Sequence, residues 1–141
     1  MPMTENRRLL HTIEFPMRWG DMDAFGHLNN STYFTYFEQV RISWLDSLGV
    51  DVHGQGPHGF VVVSAGCTFL RPVTYPSTME VRLFGGEPGR SSFPTYHELR
   101  VLEDDSGELY AHGEAKVVWI DPEHGRSTPL PEFMRKLLGG G

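Results

Sequence analysis

Cysteine is nearly absent from this sequence: Cys67 stands alone, which excludes an internal disulfide and any cluster of thiolate metal ligands. Basic charge is scarce too. Twelve Lys and Arg against eighteen Asp and Glu leave a formal net charge of -6, the opposite of the basic face by which nucleic acid is held. A few arginines can still meet the phosphates of a small ligand. Long apolar runs are missing. The opening MPMTENRRLLHTIEF has no stretch suited to a signal peptide or a membrane span, so a cytoplasmic setting without membrane partners is expected. There is no internal repeat. No P-loop or GxGxxG occurs, no GxSxG surrounds Ser64, Ser91 or Ser92, and the seven histidines never reach HExxH spacing.

What is present suits one globular domain over residues 1–141, with 39% hydrophobic content and a real but modest core. Thr12 to Trp19 alternates, with Ile13, Phe15, Met17 and Trp19 on one side, and predicts a half-buried strand. Pro16 lacks an N–H and argues for an edge position. Gly20 to Gly26 reads as loop. A helix follows: Asn29, Asn30 and Ser31 suit its N-cap, and Tyr33, Phe37, Val40, Trp44 and Leu48 form an apolar stripe at helical spacing. Phe34, Arg41 and Leu45 widen that face, Glu38 and Arg41 are spaced to pair, and Gly49 suits the C-cap.

After the loop Asp51 to Gly59 come four strand-like runs: Phe60–Pro72, Thr78–Phe84, Phe93–Leu102 and Glu108–Asp121. The apolar start of the first suggests burial on both faces. The separators TYPS, GGEPGRSS and EDDSGE are turn-like. A short helix over about 131–138 and a flexible glycine tail, Gly139 to Gly141, end the chain. Consecutive strands with short turns predict an antiparallel meander. The expected fold is therefore α+β, a five-stranded antiparallel sheet wrapped around a long central helix. One helix cannot cover five strands, so edge pairing into a homodimer or homotetramer is expected.

The densest polar stretch is RWGDMDAFGHLNN, Arg18 to Asn30. A helix N-terminus offers unpaired N–H donors and partial positive charge, which can stabilise an oxyanion. A carboxylate nearby could attack a carbonyl or take a proton from water. Acidic residues before a helix are equally a capping device, and residue spacing leaves both readings open. A DxD metal site is disfavoured, because the only further carboxylate cluster, Glu103-Asp104-Asp105, falls in a turn.

The run RWGDMDAFGHLNNSTYFTYFEQVR resembles hotdog-fold acyl-CoA thioesterases of the 4-hydroxybenzoyl-CoA thioesterase-like family. It carries the aspartate pair Asp21 and Asp23, the Gly26-His27-Leu28-Asn29-Asn30 segment, and a helix with Tyr33, Tyr36, Glu38 and Arg41. The resemblance covers roughly residues 9 to 121. It implies a hotdog fold and hydrolysis of an acyl-CoA to free acid and CoA, with no metal or other cofactor. It assigns the catalytic carboxylate to Asp23, as nucleophile or general base, and the oxyanion donor to the backbone N–H of Asn30. Related plant acyl-carrier-protein thioesterases carry Asp-x-Asn-x-His; here Asp23 and His27 remain, but Phe25 holds the middle position.

The remaining candidates are weaker. Asp21 suits a structural role in the loop, and His27 could position water or polarise the carbonyl. Tyr33 and Glu38 are expected near the substrate, Glu38 orienting water if it faces a partner's pocket. Gly89-Arg90-Ser91-Ser92 offers a glycine turn, an arginine fork and two hydroxyls for the CoA phosphates, with Arg71 and Arg126 as lesser alternatives. The acyl tail is expected between subunits, against the central helix and the Phe60 to Leu70 strand. Two rival functions share these features: a hotdog hydratase or dehydratase, and a non-catalytic acyl-CoA-binding protein.

Overall fold

Alternation along the chain becomes a single curved sheet packed on one helix. The computed structural model describes residues 7–52 and 56–139. Part of the expected 51–59 loop and the last two residues of the glycine tail lie outside them. The elements are β1 (Arg8–Pro16), a single 3-10 turn (Trp19–Asp21), α1 (Asn30–Ser47), β2 (Gly59–Phe69), β3 (Thr78–Gly85), β4 (Ser92–Val101), β5 (Ala111–Asp121), β6 (Arg126–Ser127) and α2 (Glu132–Leu137). All strand pairings are antiparallel.

β1 is an edge strand, as Pro16 requires. It ends at that proline rather than at Trp19. Trp19 enters the 3-10 turn and is 73% exposed, off the inward row that its parity predicts. Strand order is β1-β3-β4-β5-β2, which corrects the simple meander. Only β3, β4 and β5 run as neighbours in sequence. β2 crosses over to pair with β5, with Ala65 opposite Ala115 and Phe69 opposite Ala111. The two-residue β6 extends the β5 end by a hairpin.

This order makes β2 the second edge, and it overturns the doubly buried reading of its start. Val61, Val62 and Val63 are 40%, 40% and 56% exposed. β3, β4 and β5, by contrast, bury alternate residues: Met79, Val81 and Leu83; Phe93, His97 and Leu99; Ala111, Val117 and Trp119. α1 lies across this face and buries Tyr33, Tyr36, Phe37, Val40, Trp44 and Leu45. Each large apolar side chain so buried contributes about 1.5–3 kcal/mol. Trp44 meets Phe93 edge-on, and Phe15 stacks on Tyr36 with ring centres 4.8 Å apart.

Gly113 shows how close the helix comes. A Cβ there would lie 2.7 Å from the Phe37 ring and 2.7 Å from the Gly66 carbonyl. Phe34 remains 39% exposed, and Arg41 turns toward His97 rather than forming the expected pair with Glu38. α1 begins as expected: the Asn29 side chain accepts from the Ser31 N–H at 3.0 Å. Gly49, at φ +82°, follows its last turn. Among the described residues no helix is long and apolar enough to cross a membrane.

Candidate functional site

The 3-10 turn after β1 is tied down by Asp21, which is 5% exposed. Its carboxylate accepts from the Arg18 guanidinium at 2.9 Å, from the Arg18 N–H at 3.0 Å and from the Tyr36 hydroxyl at 2.7 Å. The Asp21 carbonyl accepts from the Asn29 N–H at 2.9 Å. Burial opposes ionisation of Asp21, but the bonds from Arg18 and Tyr36 outweigh it and hold the carboxyl below its usual range. Burial first and Asp21 second push the Tyr36 hydroxyl well above its usual value, so it remains a donor. Asp21 thereby joins the 3-10 turn and its Arg18 cap to the second turn of α1.

Asp23 heads a small closed loop. Its N–H donates to the His27 carbonyl at 2.8 Å, and Gly26, at φ +79°, donates to the Asp23 carbonyl at 3.1 Å. Its Oδ1 accepts from the N–H groups of Phe25, at 2.9 Å, and His27, at 3.2 Å. Among the described residues its Oδ2 has no hydrogen-bond partner. The Leu28 N–H donates to the Val73 carbonyl at 2.8 Å, anchoring the loop to the chain between β2 and β3. Phe25, at the loop tip, is 84% exposed, so the residue that replaces an asparagine of the plant enzymes stands clear of the cleft.

Asp23, His27, Asn30 and Tyr33 line one open cleft of about 240 Å³, closed by Phe69, Leu70, Arg71 and Pro72. In the first turn of α1 the Ser31 N–H goes to Asn29 Oδ1 and the Thr32 N–H to the Asn29 carbonyl. The Asn30 N–H has no partner among the described residues. Asp23 and Asn30, each with a polar atom unpaired among the described residues, thus line one cleft. Tyr33, packed edge-on to Phe69, is pushed up to about 12 by burial, with smaller contributions from Cys67 and Asp23.

The other expected residues lie elsewhere. Glu38 sits further along α1 and lines a second pocket with Arg41 and His97. Arg90 and Ser91 lie in the β3–β4 turn and Ser92 opens β4; the backbone carbonyls of Gly89 and Arg90 accept from Arg135. β1 pairs Pro16 with Thr78 and Arg8 with Gly85. The Asp23 loop and the Arg90 turn therefore lie at opposite ends of β3, roughly 25 Å apart at strand rise. Within one chain they do not share a cleft. The cation at the cleft is Arg71, stacked toward Tyr110 and within 3.7 Å of Glu108. Its signal was the one charged residue within the Phe60–Pro72 run. His97 was missed altogether, although it occupies an inward position of β4 where alternation calls for an apolar residue. Among the described residues only Asp121, Glu123 and His124 come together as metal ligands could, on the exposed β5–β6 turn.

A family model of the thioesterase-like superfamily matches residues 17–138. The chain belongs to that superfamily. A Pseudomonas aeruginosa protein described as a candidate thioesterase is 43% identical, with a TM-score of 0.85 over 92% of this chain and 98% of its own. A Thermus thermophilus thioesterase, solved in complex with coenzyme A and zinc, is 29% identical, with a TM-score of 0.79 over 93% and 98%. The uncharacterised protein YsmA of Bacillus subtilis is 33% identical over 122 residues, 86% of this chain and 80% of its own. This thioesterase-like chain has the hotdog fold, and it is an enzyme of the thioester hydrolase class.

Proposed function

We propose that the protein hydrolyses acyl-CoA thioesters at the Asp23 cleft. The observation that carries this reading is that Asp23 and Asn30 line the same cleft, and that among the described residues neither Asp23 Oδ2 nor the Asn30 N–H has a hydrogen-bond partner. The thioester carbonyl oxygen accepts from the Asn30 N–H at the positive end of α1. Asp23 either takes a proton from the attacking water or attacks the carbonyl carbon itself. As base, Asp23 passes the water's proton on to the thiolate as the C–S bond breaks; as nucleophile, it forms a mixed anhydride while the thiolate leaves, and water then cleaves the anhydride to the acid and supplies the thiolate's proton. No step calls for a metal or organic cofactor. His27 flanks the reacting carbonyl, and Tyr33 with Phe69 walls the start of the acyl chain.

Arg71, at the cleft, suits the CoA phosphates better than Arg90, Ser91 and Ser92 of the same chain. Those three serve the nucleotide only across a subunit boundary. A homodimer through the β2 edge fits the exposed Val61, Val62, Val63 and Phe69. The coenzyme A held by the Thermus relative supports CoA as the carrier. Chemistry on CoA esters and the lone cysteine suit a cytoplasmic enzyme. The test is a panel of acyl-CoAs against wild type and Asp23→Asn. Hydrolysis lost in the variant supports the reading, and a folded variant that keeps most of its activity overturns it.

A further inference from the structure

The inner flank of α1 carries a second pocket beyond the first. Asn30 and Tyr33 face the Asp23 cleft, whereas Phe34, Phe37, Glu38 and Arg41 line a pocket of about 230 Å³ with Ala65 of β2, His97 of β4 and Glu114 with Ala115 of β5. β2 makes the same progression in reverse, from Phe69 beside the cleft to Ala65 beside the second pocket. Both pockets therefore lie along one seam between α1 and β2.

The far pocket contains polar groups short of partners. His97 is 1% exposed and stacks on Phe37 with ring centres 4.5 Å apart. Its Nε2 lies 3.4 Å from an Arg41 nitrogen. A guanidinium only donates, so Nε2 is the acceptor and the neutral ring carries its proton on Nδ1. That buried Nδ1 has the Gly113 carbonyl beside it but no hydrogen bond of good geometry among the described residues. Arg41 is half-buried, and no carboxylate lies within 4 Å of it among the described residues. Burial weakens its hold on the proton and the charge of Glu38 partly restores it. The Glu114 carboxylate is laid against Gly66. A partly desolvated arginine with most of its donors unused can take an anion that meets the guanidinium and keeps clear of the Glu38 and Glu114 carboxylates lining the same pocket.

We propose that this pocket receives the far end of the acyl chain and that Arg41 binds a carboxylate there, so that ω-carboxyacyl-CoA thioesters are the preferred substrates. This rests on hydrolysis at Asp23. Eleven residues of helix separate Asn30 from Arg41, about 16 Å of rise, and the Arg41 side chain leans back toward the helix start, which suits a diacid of about eight carbons. Phe34, Phe37, Ala65 and Ala115 accommodate its methylenes, and Arg41 discriminates the acid end from a methyl end.

The experiment compares kcat/KM for suberoyl-CoA and octanoyl-CoA in wild type, Arg41→Met, Glu38→Gln and Asp23→Asn. Wild type is expected to favour suberoyl-CoA by about tenfold or more. Arg41→Met removes that preference while leaving octanoyl-CoA hydrolysis within a few fold. Glu38→Gln, an exposed position that withdraws an opposing charge, raises the preference and remains informative if Arg41→Met does not fold. A wild-type ratio near one, or a ratio unmoved by Arg41→Met or by Glu38→Gln, overturns the proposal. Octanoyl-CoA hydrolysis that depends on Asp23 but shows no diacid preference leaves the parent reading standing. Absence of Asp23-dependent hydrolysis of either ester removes both.

Discussion

Two aspartates two residues apart have opposite surroundings. The turn around Asp21 is saturated: both its oxygens are engaged by Arg18 or Tyr36, and its carbonyl holds the helix cap. The loop around Asp23 is only half engaged. Backbone N–H groups fix one oxygen, and the other, on a residue that lines a cleft, has no partner among the described residues. A carboxylate whose lone pairs are all committed can orient a loop but has none to offer a substrate. A carboxylate held by one oxygen is oriented and still available. The difference lies in the partners supplied by Arg18 and Tyr36, not in the residue type.

The largest effect expected from this contrast is at Asp23. Asp23→Asn keeps the shape and removes the base or nucleophile, so kcat/KM for an acyl-CoA falls about 10³-fold while the thermal midpoint stays within a degree or two. Equal loss of stability and activity would erase the distinction from Asp21.

Asp21→Asn should act through the fold. It weakens the charge-assisted bonds from Arg18 and Tyr36 and lowers unfolding free energy by about 2 kcal/mol in urea denaturation. Arg18 is largely exposed, so most of that loss comes from the Tyr36 side. Acid titration sharpens the assignment. His97 is held neutral down to about 3, burial being the main cause with Arg41 second, against an ordinary value of 6.5. The unfolded chain therefore binds a proton that the folded chain refuses, and stability falls as pH drops below about 6.5. The Asp21 carboxyl is depressed, so its contribution is present above about 3.9 and is lost as pH falls through its lower folded value. His97→Gln should flatten the upper part of the curve, and Asp21→Asn the lower part.

Asn29→Ala tests the junction between the two regions. Loss of the bond to Ser31 costs about 1 kcal/mol, and a looser first turn should lower kcat more than it raises KM. Smallest is Arg71→Ala, expected to raise KM for CoA esters a few fold with kcat unchanged. Arg90→Ala in the same assay shows whether the nucleotide reaches a partner's turn: a larger KM effect there than at Arg71 would move the phosphate contact across the subunit boundary.

Local physics wrote much of this protein into its sequence. Parity along β3, β4 and β5 gives the buried face, because side chains alternate whatever the strand pairs with. Asn29 caps α1 because a side-chain oxygen two residues before an unpaired N–H needs no distant help. The Asp23 loop closes on its own backbone, and Gly26 supplies the positive φ. The candidate carboxylate and the helix start are accordingly legible as a local pattern.

What depended on distant partners was not legible. The β2 start reads as doubly buried, but exposure depends on its neighbour, and only the crossover to β5 makes it an edge. Asp21 and Asp23 look alike until Tyr36, fifteen residues on, reaches Asp21. Arg41 looks like a partner for Glu38 until β4 brings His97 beneath it, across fifty-six positions. Arg90 and Arg71 look alike as cations for a phosphate until strand register places Arg71 at the Asp23 cleft and the Arg90 turn at the far end of β3. Segments and their faces could be read from the residue order alone, because they follow from neighbours along the chain. Which polar groups are left without partners emerges once the chain is folded, because a group's freedom depends on everything the fold brings near it.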